Sequence, residues 1–304
     1  MSLDHASVHN QRWELSKKNI LGKGLEIGAL NRPLPVHRCV QVINVDRVNL
    51  DDAYNVHFPE LKGADIANVD VMDDAEKLNS IPLESQDFIV AGHFLEHTQN
   101  PIKTIESQIS RLRIGGILFY ILPDKRHTFD VDRPITPFEH ILRDYKEGER
   151  ISYDQHMYEY AELVDHAKTQ EQIEARVKVL KDMAYTIHFH VWDADALKEF
   201  FEKTNEVLGY PYDILDFVES SKYENIVVLR KIKSPKKMPD DDLPPDTPLA
   251  IRALMHVYKI REDLQKTFPE AERGEYSNLI KWAKKHGVNE NDRLYRFSPF
   301  YEQS

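Results

Sequence analysis

Cysteine is almost missing from this chain. Cys39 is the single one among 304 residues, so no internal disulfide can form and a disulfide-stapled extracellular scaffold is excluded. Cys39 itself is expected to be a small buried residue leading into a strand, since no paired base is evident around it. Basic charge is in deficit, with 40 Lys and Arg against 51 Asp and Glu and a formal net charge of −11. A sequence-independent grip on phosphate backbones needs a basic stripe, so no nucleic-acid partner is expected. No uninterrupted apolar run is long enough for a bilayer, and the N-terminus lacks a basic-then-apolar leader pattern. The expectation is a cytoplasmic protein with no membrane span. Glycine is scarce at 11 residues. Gly22-x-Gly24-x-x-x-Gly28 has the wrong spacing for a dinucleotide fingerprint, and two of its glycines precede the strand they would have to follow. Ala29-Leu30-Asn31-Arg32-Pro33 comes next, where a pyrophosphate would need a helix N-terminus, so NAD is rejected.

What is present is the composition of a globular chain, 41% hydrophobic and 30% charged, long enough to bury a sizeable core. Residues 4–19 read as a helix or arm packing on a sheet edge. Apolar and β-branched runs at 25–27, 40–45, 88–91 and 117–122 read as strands, with a weaker one at 64–71. Ile102, Ile105, Ile109 and Leu112 fall on one helical face, and Gly115-Gly116 is expected to end that helix. Strands alternating with helices imply a mainly parallel sheet. Residues 137–184 break the rhythm and read as a helical lid. Residues 187–191 and 226–229 are expected to form the last two strands, an antiparallel pair joined by a helix from 195 to 208. A Pro-rich linker follows at 233–248, then a C-terminal helical appendage at 249–304, which self-associates as a homodimer, docks a partner or packs on its own domain.

Ligands of open α/β sheets bind outside the carboxyl ends of the strands, where this chain concentrates polar residues. Glu26-Ile27-Gly28-Ala29 ends the first strand; one tight turn at Gly28 lets a phosphate-free nucleoside ligand pass, and Glu26 can accept from an ammonium. Asp46 can fork to both ribose hydroxyls, or simply cap a helix. Asp74 can accept from an adenine amino group while the Ala75 backbone reads the ring edge. His93-x-x-Glu96-His97 shares one face if helical; the set either holds a divalent ion, or His93 lines the ligand pocket and Glu96-His97 begins a helix. Asp124, Lys125, Arg126, Asp130 and Arg133 lie just past the fifth strand and are expected to bind a polar, anionic acceptor, a solvated loop being the rival. His188 and His190 alternate onto one face of the expected sixth strand, as a base, a ligand or buried core residues.

The strings LEIGA (25–29), VINVD (42–46), DDAEKL (73–78), SQDFIVAGHFLEH (85–97) and SRLRIGGILFYILPDKR (110–126) resemble those of class I S-adenosylmethionine-dependent methyltransferases. The branch they resemble is the broad small-molecule one that includes ubiquinone-pathway enzymes. The resemblance covers residues 20–232. It implies a seven-stranded Rossmann-like α/β domain over 1–232, with Glu26, Gly28, Ala29, Asp46, Asp74, Ala75, Gly92 and His93 at S-adenosylmethionine. This chain has fewer glycines after Gly28 than that family. PDKRHTFDVDRP (123–134) and His140 are similar to methyltransferases encoded with bacterial glycosyltransferases, which implies a sugar or glycan acceptor. Metal-assisted O-methyltransferases carry E-x-x-E-H where this chain has His93, Glu96 and His97, which implies a Mg or Mn site there.

The expected reaction is therefore methyl transfer to an oxygen of a polar small molecule or glycan, divalent metal being one possible assistant. His93, His97, His140, His188 and His190 are the candidate bases. C- or N-methylation, and a non-catalytic methyltransferase-like binding module, are the alternatives.

Overall fold

The computed structural model describes residues 3–48, 66–220 and 223–235. The chain divides into units at 1–238 and 239–304; the expected appendage, and the linker beyond residue 235, lie outside the described residues. Among the described residues no helix is long and apolar enough to cross a membrane.

Seven strands form one sheet: β1 Lys23–Ile27, β2 Gln41–Asp46, β3 Val71–Met72, β4 Gln86–Gly92, β5 Leu112–Pro123, β6 Tyr212–Ser220 and β7 Glu224–Lys231. Their order is β3-β2-β1-β4-β5-β7-β6. Only β7 runs against its neighbours, so the expected Rossmann-like, mainly parallel sheet is present. The helices are α1 Leu3–Asn19, α2 Pro101–Arg111, α3 Phe138–Glu147, α4 Tyr153–Leu163, α5 Gln170–Asp182 and α6 Ala194–Val207.

The apolar run of β5 shows why the sheet is buried on both faces. Leu118, Tyr120 and Leu122 join one core with α2 and α6, while Phe119 and Ile121 join the opposite one with Ile20 and Leu34. β1 and β4 approach so closely that a Cβ on Gly24 would sit 2.1 Å from the Phe88 carbonyl oxygen. The α2 start is set locally: Asn100 accepts the Lys103 N–H and Pro101 takes the first helical position,. Its stripe Ile102, Ile105 and Ile109 is fully buried, each side chain contributing about 1.5–3 kcal/mol. α1 packs at the sheet edge through Lys18 and Asn19 to Asp216 of β6, and Arg12 to Glu224 of β7.

Several expectations need correcting. α2 ends at Arg111, not at Gly115-Gly116. Those glycines lie inside β5, where Gly115 has φ 84° and bends the strand; a glycine pair marks a bend without saying which element bends. The sixth strand is 212–220, not 187–191. The latter segment is irregular, and bonds instead to Glu96 O through the Phe189 N–H and to Thr136 through the Val191 N–H. The third strand shrinks to Val71–Met72. Cys39 is exposed rather than buried, with His37 Nδ1 2.9 Å from its Sγ.

Residues 137–184 supply α3, α4 and α5. Met157, Ala161, Val177 and Leu180 of α4 and α5 close over Ile187 and Phe189. Thr169 and Gln172 form a reciprocal cap that starts α5,.

Candidate active site

The chain leaves β1 in the middle of the sheet, where strand order reverses, and crevices of open α/β sheets form at that switch point. The register sets Ile27 beside Val45 on one side and Ala91 on the other, so Gly28, Asp46 and Gly92 emerge together. Gly28 adopts φ 61°, its N–H reaches Val45 O at 3.0 Å, and nothing stands within 4 Å of where a Cβ would be. The loop then folds back: Arg32 N–H donates to Ala29 O, and Leu34 N–H donates to Glu26 Oε1 at 2.6 Å. Described residues 28–40 contain no helix, so this turn has no helix N-terminus for a pyrophosphate.

Glu26 is buried, and burial pushes its pKa up to about 7 against the Leu34 N–H and the Arg12 charge, which pull it down. Among the described residues no hydrogen bond reaches its second oxygen. Asp46 Oδ1 accepts the N–H groups of Arg47 and Val48 at 2.7 and 3.3 Å. Asp46 lines a crevice with Ala29, Leu30, Val48, Ile66 and Ala67. Asp74 accepts from Glu76 N–H and pairs with Lys77 Nζ at 2.6 Å. Its loop is held from below: Gln108 donates to Ala75 O and accepts from the Tyr120 hydroxyl, and buried Arg111 donates to Lys77 O and Leu78 O.

After Gly92 the geometry departs from an α-helical stack. His93 has φ 50°, and the turn Leu95–His97 is a 3-10 helix, so i, i+3 and i+4 do not share one ligand face. His93 turns to Glu224 instead, Nε2 to Oε2 3.3 Å, with its Nδ1 3.6 Å from Glu96 Oε1. Burial opposes charge on His93, but the Glu224 bond and the Glu96 and Glu224 carboxylates outweigh it and raise its pKa. Burial likewise works against Glu224, yet its hydrogen bonds from Arg12 and His93 hold it down at about 2. Arg12 grips Glu224 with two bonds of 2.8 and 2.6 Å. Sequence reading missed this pair, since nothing local links residues so far apart.

Glu96 meets His97 and His188: one ligand atom from each lies within 4.8 Å of the others. Glu96 is completely buried, and neither of its oxygens receives a hydrogen bond. His97 Nδ1 faces the Thr186 and Ile187 carbonyls at 3.1 and 3.0 Å, and His188 Nδ1 lies 2.6 Å from Asp130 Oδ2. Both imidazoles thus carry the proton on Nδ1 when neutral, which leaves Nε2 as the lone pair. Burial is the largest influence on His97 and lowers its pKa.

The charged loop after β5 builds itself. Arg133 is buried and bonds Asp130 at 2.8 Å, Glu159 at 2.9 Å and His188 O at 2.7 Å. Buried Asp124 accepts Arg126 N–H and guanidinium; Lys125 Nζ reaches Val131 O. Burial disfavours charge on Asp130, but His188 and Arg133 hold its pKa below the ordinary value. Arg126 remains half exposed, so it is the cation of this run that most faces solvent. Phe129, exposed, stands 4.7 Å from the His188 ring.

The imidazoles of His140 and His190 are not part of the cluster of Glu96, His97 and His188, though the His190 backbone N–H reaches Glu96 O at 3.3 Å. His190 is fully buried, with Nε2 3.3 Å from Gln99 O. His140 meets His156, which sequence reading did not single out, at 3.0 Å.

A mainly parallel sheet with Gly28, Asp46 and Gly92 at neighbouring strand ends around its switch point defines a Rossmann-like α/β protein. Residues 14–206 match the family model described as a methyltransferase domain, and the chain belongs to that family. It is an S-adenosylmethionine-dependent methyltransferase. No curated protein matches it. Among solved structures it is similar to an S-adenosylmethionine-dependent methyltransferase from Aquifex aeolicus, at 13% identity and TM-score 0.39, covering 74% of this chain and 88% of that one. It is also similar to a protein from Pyrococcus horikoshii, at 14% identity and TM-score 0.42, covering 76% and 92%.

Proposed function

We propose that the enzyme methylates a hydroxyl oxygen of a polar acceptor, a small molecule or a sugar, with His188 as the base. The observation that carries this reading is the Asp130–His188 pair at 2.6 Å, which holds the imidazole by Nδ1 in a cluster with Glu96 and His97. S-adenosylmethionine, when bound, supplies an electrophilic methyl group on a sulfonium. The open space above Gly28, the free Glu26 oxygen and Asp46 beside it suit its methionine ammonium and ribose. Asp74 and Ala75 border the adenine, and Gly92 and His93 close the other side. The protein's main tasks are then to align acceptor and methyl and to take the hydroxyl proton. Phe129 offers a ring face to a sugar, and Arg126 a charge to an anionic group.

Glu96, His97 and His188 also fit a divalent cation, because one ligand atom from each converges and Nδ1 of each imidazole has a partner that orients the ring,. Such an ion would polarise the hydroxyl; two imidazole donors favour Mn over Mg. Incubating the full chain with isotopically labelled S-adenosylmethionine and a panel of hydroxylated acceptors tests the reading. A label recovered on carbon or nitrogen would sink it, and a rate unmoved by chelator would remove the ion.

Two cofactor predictions follow from the same geometry. Asp46→Ala should weaken S-adenosylhomocysteine binding by about 10–100-fold, the worth of roughly 1.5–3 kcal/mol of charged hydrogen bonding; calorimetric affinity within threefold of wild type refutes the ribose role. For Glu26, folding raises the pKa from 4.5 to about 7. Its stabilising effect is therefore full below 4.5 and lost as pH rises through 7. An ammonium prefers the ionised form, so affinity should be about tenfold weaker at pH 6 than at pH 8, by the ionised fraction of a group titrating near 7. Glu26→Gln should flatten that profile.

A further inference from the structure

We propose that the lid contains a second, structural metal site in which His140 and Asp144 of α3 and His156 of α4 hold one zinc ion. One ligand atom from each lies within 4.8 Å of the other two. His140 and Asp144 are one helical turn apart, so both project from the same side of α3. His140 Nε2 is 3.0 Å from His156 Nε2 and 3.2 Å from Asp144 Oδ2. A tetrahedral zinc with bonds near 2.0–2.1 Å would place its donors roughly 3.3 Å apart, so the three side chains need little movement. Two imidazoles and a carboxylate are a borderline-soft set that suits zinc better than magnesium.

Three further observations favour an ion over a plain hydrogen-bonded cluster. Two imidazole Nε2 atoms in contact need a proton between them, whereas a cation satisfies both lone pairs. Asp144 is fully buried, yet its Oδ1 receives no hydrogen bond. Its Oδ2 is oriented by the Ser152 hydroxyl at 2.6 Å, the support that ligating carboxylates usually have. Behind these residues His190 is fully buried with its Nδ1 unpartnered, its ring 5.1 Å from that of His156. It stands one step outside the three donors, as a fourth ligand after a small shift or as the wall of a water-filled fourth position.

Arg143 now meets His140 Nδ1 at 3.3 Å. Loading moves the His140 proton to Nδ1, and Arg143, an exposed residue, swings into solvent. The site shares no residue with Glu96, His97 and His188, so it stands whether or not the proposed reaction does. Its effect would be to pin α3 to α4, and so to hold the lid wall that packs against Phe189.

The full chain, stripped by chelator, is titrated with Co2+ as a spectroscopic stand-in and with Zn2+. The bound metal is counted after dialysis. Wild type should show the intense visible bands of tetrahedral Co2+ and retain zinc. Asp144→Asn, nearly isosteric, should lose one equivalent and those bands, while His188→Gln keeps them. Chelation should lower the melting temperature of wild type and leave Asp144→Asn unmoved. If Asp144→Asn fails to fold by circular dichroism, His140→Gln on the half-buried side of the site takes its place. Absence of tetrahedral bands in wild type, or their loss in His188→Gln with retention in Asp144→Asn, overturns the proposal.

Discussion

His188→Gln should lower kcat for methyl transfer by about 10²–10⁴-fold, the usual contribution of a positioned general base, while leaving S-adenosylhomocysteine affinity unchanged. Glutamine keeps a group able to bond Asp130 but has no nitrogen lone pair to take a proton. The split between kcat and cofactor affinity follows from placement. His188 lies in the irregular segment between α5 and α6, held by Asp130 and packed against His97 with ring centroids 4.6 Å apart. The candidate cofactor residues lie at or just past the ends of β1, β2, β3 and β4, and among the described residues His188 hydrogen-bonds Asp130 and Arg133 instead. A chelator-sensitive wild type would point to the cation shared with Glu96 and His97; in that case the same substitution also reduces bound manganese. Unchanged kcat at saturating cofactor and acceptor would show that His188 takes no proton.

Arg133→Met should destabilise the domain by about 3–5 kcal/mol, the range for breaking a buried ion pair by removing one partner. For a domain of this size, that is a fall in melting temperature of roughly 6–20 °C. Arg133 is fully buried, and its guanidinium bonds Asp130, Glu159 and the His188 carbonyl. Methionine fills much of the volume but leaves Asp130 charged and short of its guanidinium partner. Arg133→Met with Asp130→Asn should recover part of the loss, because the stranded carboxylate goes too. A melting shift below about 2 °C for the single variant would mean that solvent reaches Asp130 once Arg133 is gone. Activity in Arg133→Met should also fall, through disorder at His188, and the double variant should regain stability without regaining rate.

These two side chains show where reading the sequence stops. Arg133 and Asp130 stand in a run of charges that looks like a grip for an anionic acceptor. The fold turns both inward as supports for His188, and pairing of that kind depends on Glu159 and on carbonyls 55 and 56 residues away. His93 fails similarly. Its spacing to Glu96 and His97 matches a metal-binding helix, but the backbone there is left-handed and then 3-10. A ligand face inferred from α-helical periodicity therefore does not exist, and His188 stands where His93 was expected. Residues 187–191 read as a strand because apolar residues alternate in them; they pack instead against α4, α5 and the Glu96 turn.

The succession of strands and helices through β5, the buried stripe of α2 and the emergence of Gly28 and Asp46 at strand ends were determined by the sequence alone. Each depends on periodicity, capping or turn chemistry acting within a few residues. Only the tertiary structure decided which histidines meet which carboxylates, and that Arg12 and Glu224 close on the Gly92 turn. Those contacts join distant segments, and their partners are selected by packing and by the cost of leaving a buried charge unpaired, neither of which is written in local sequence.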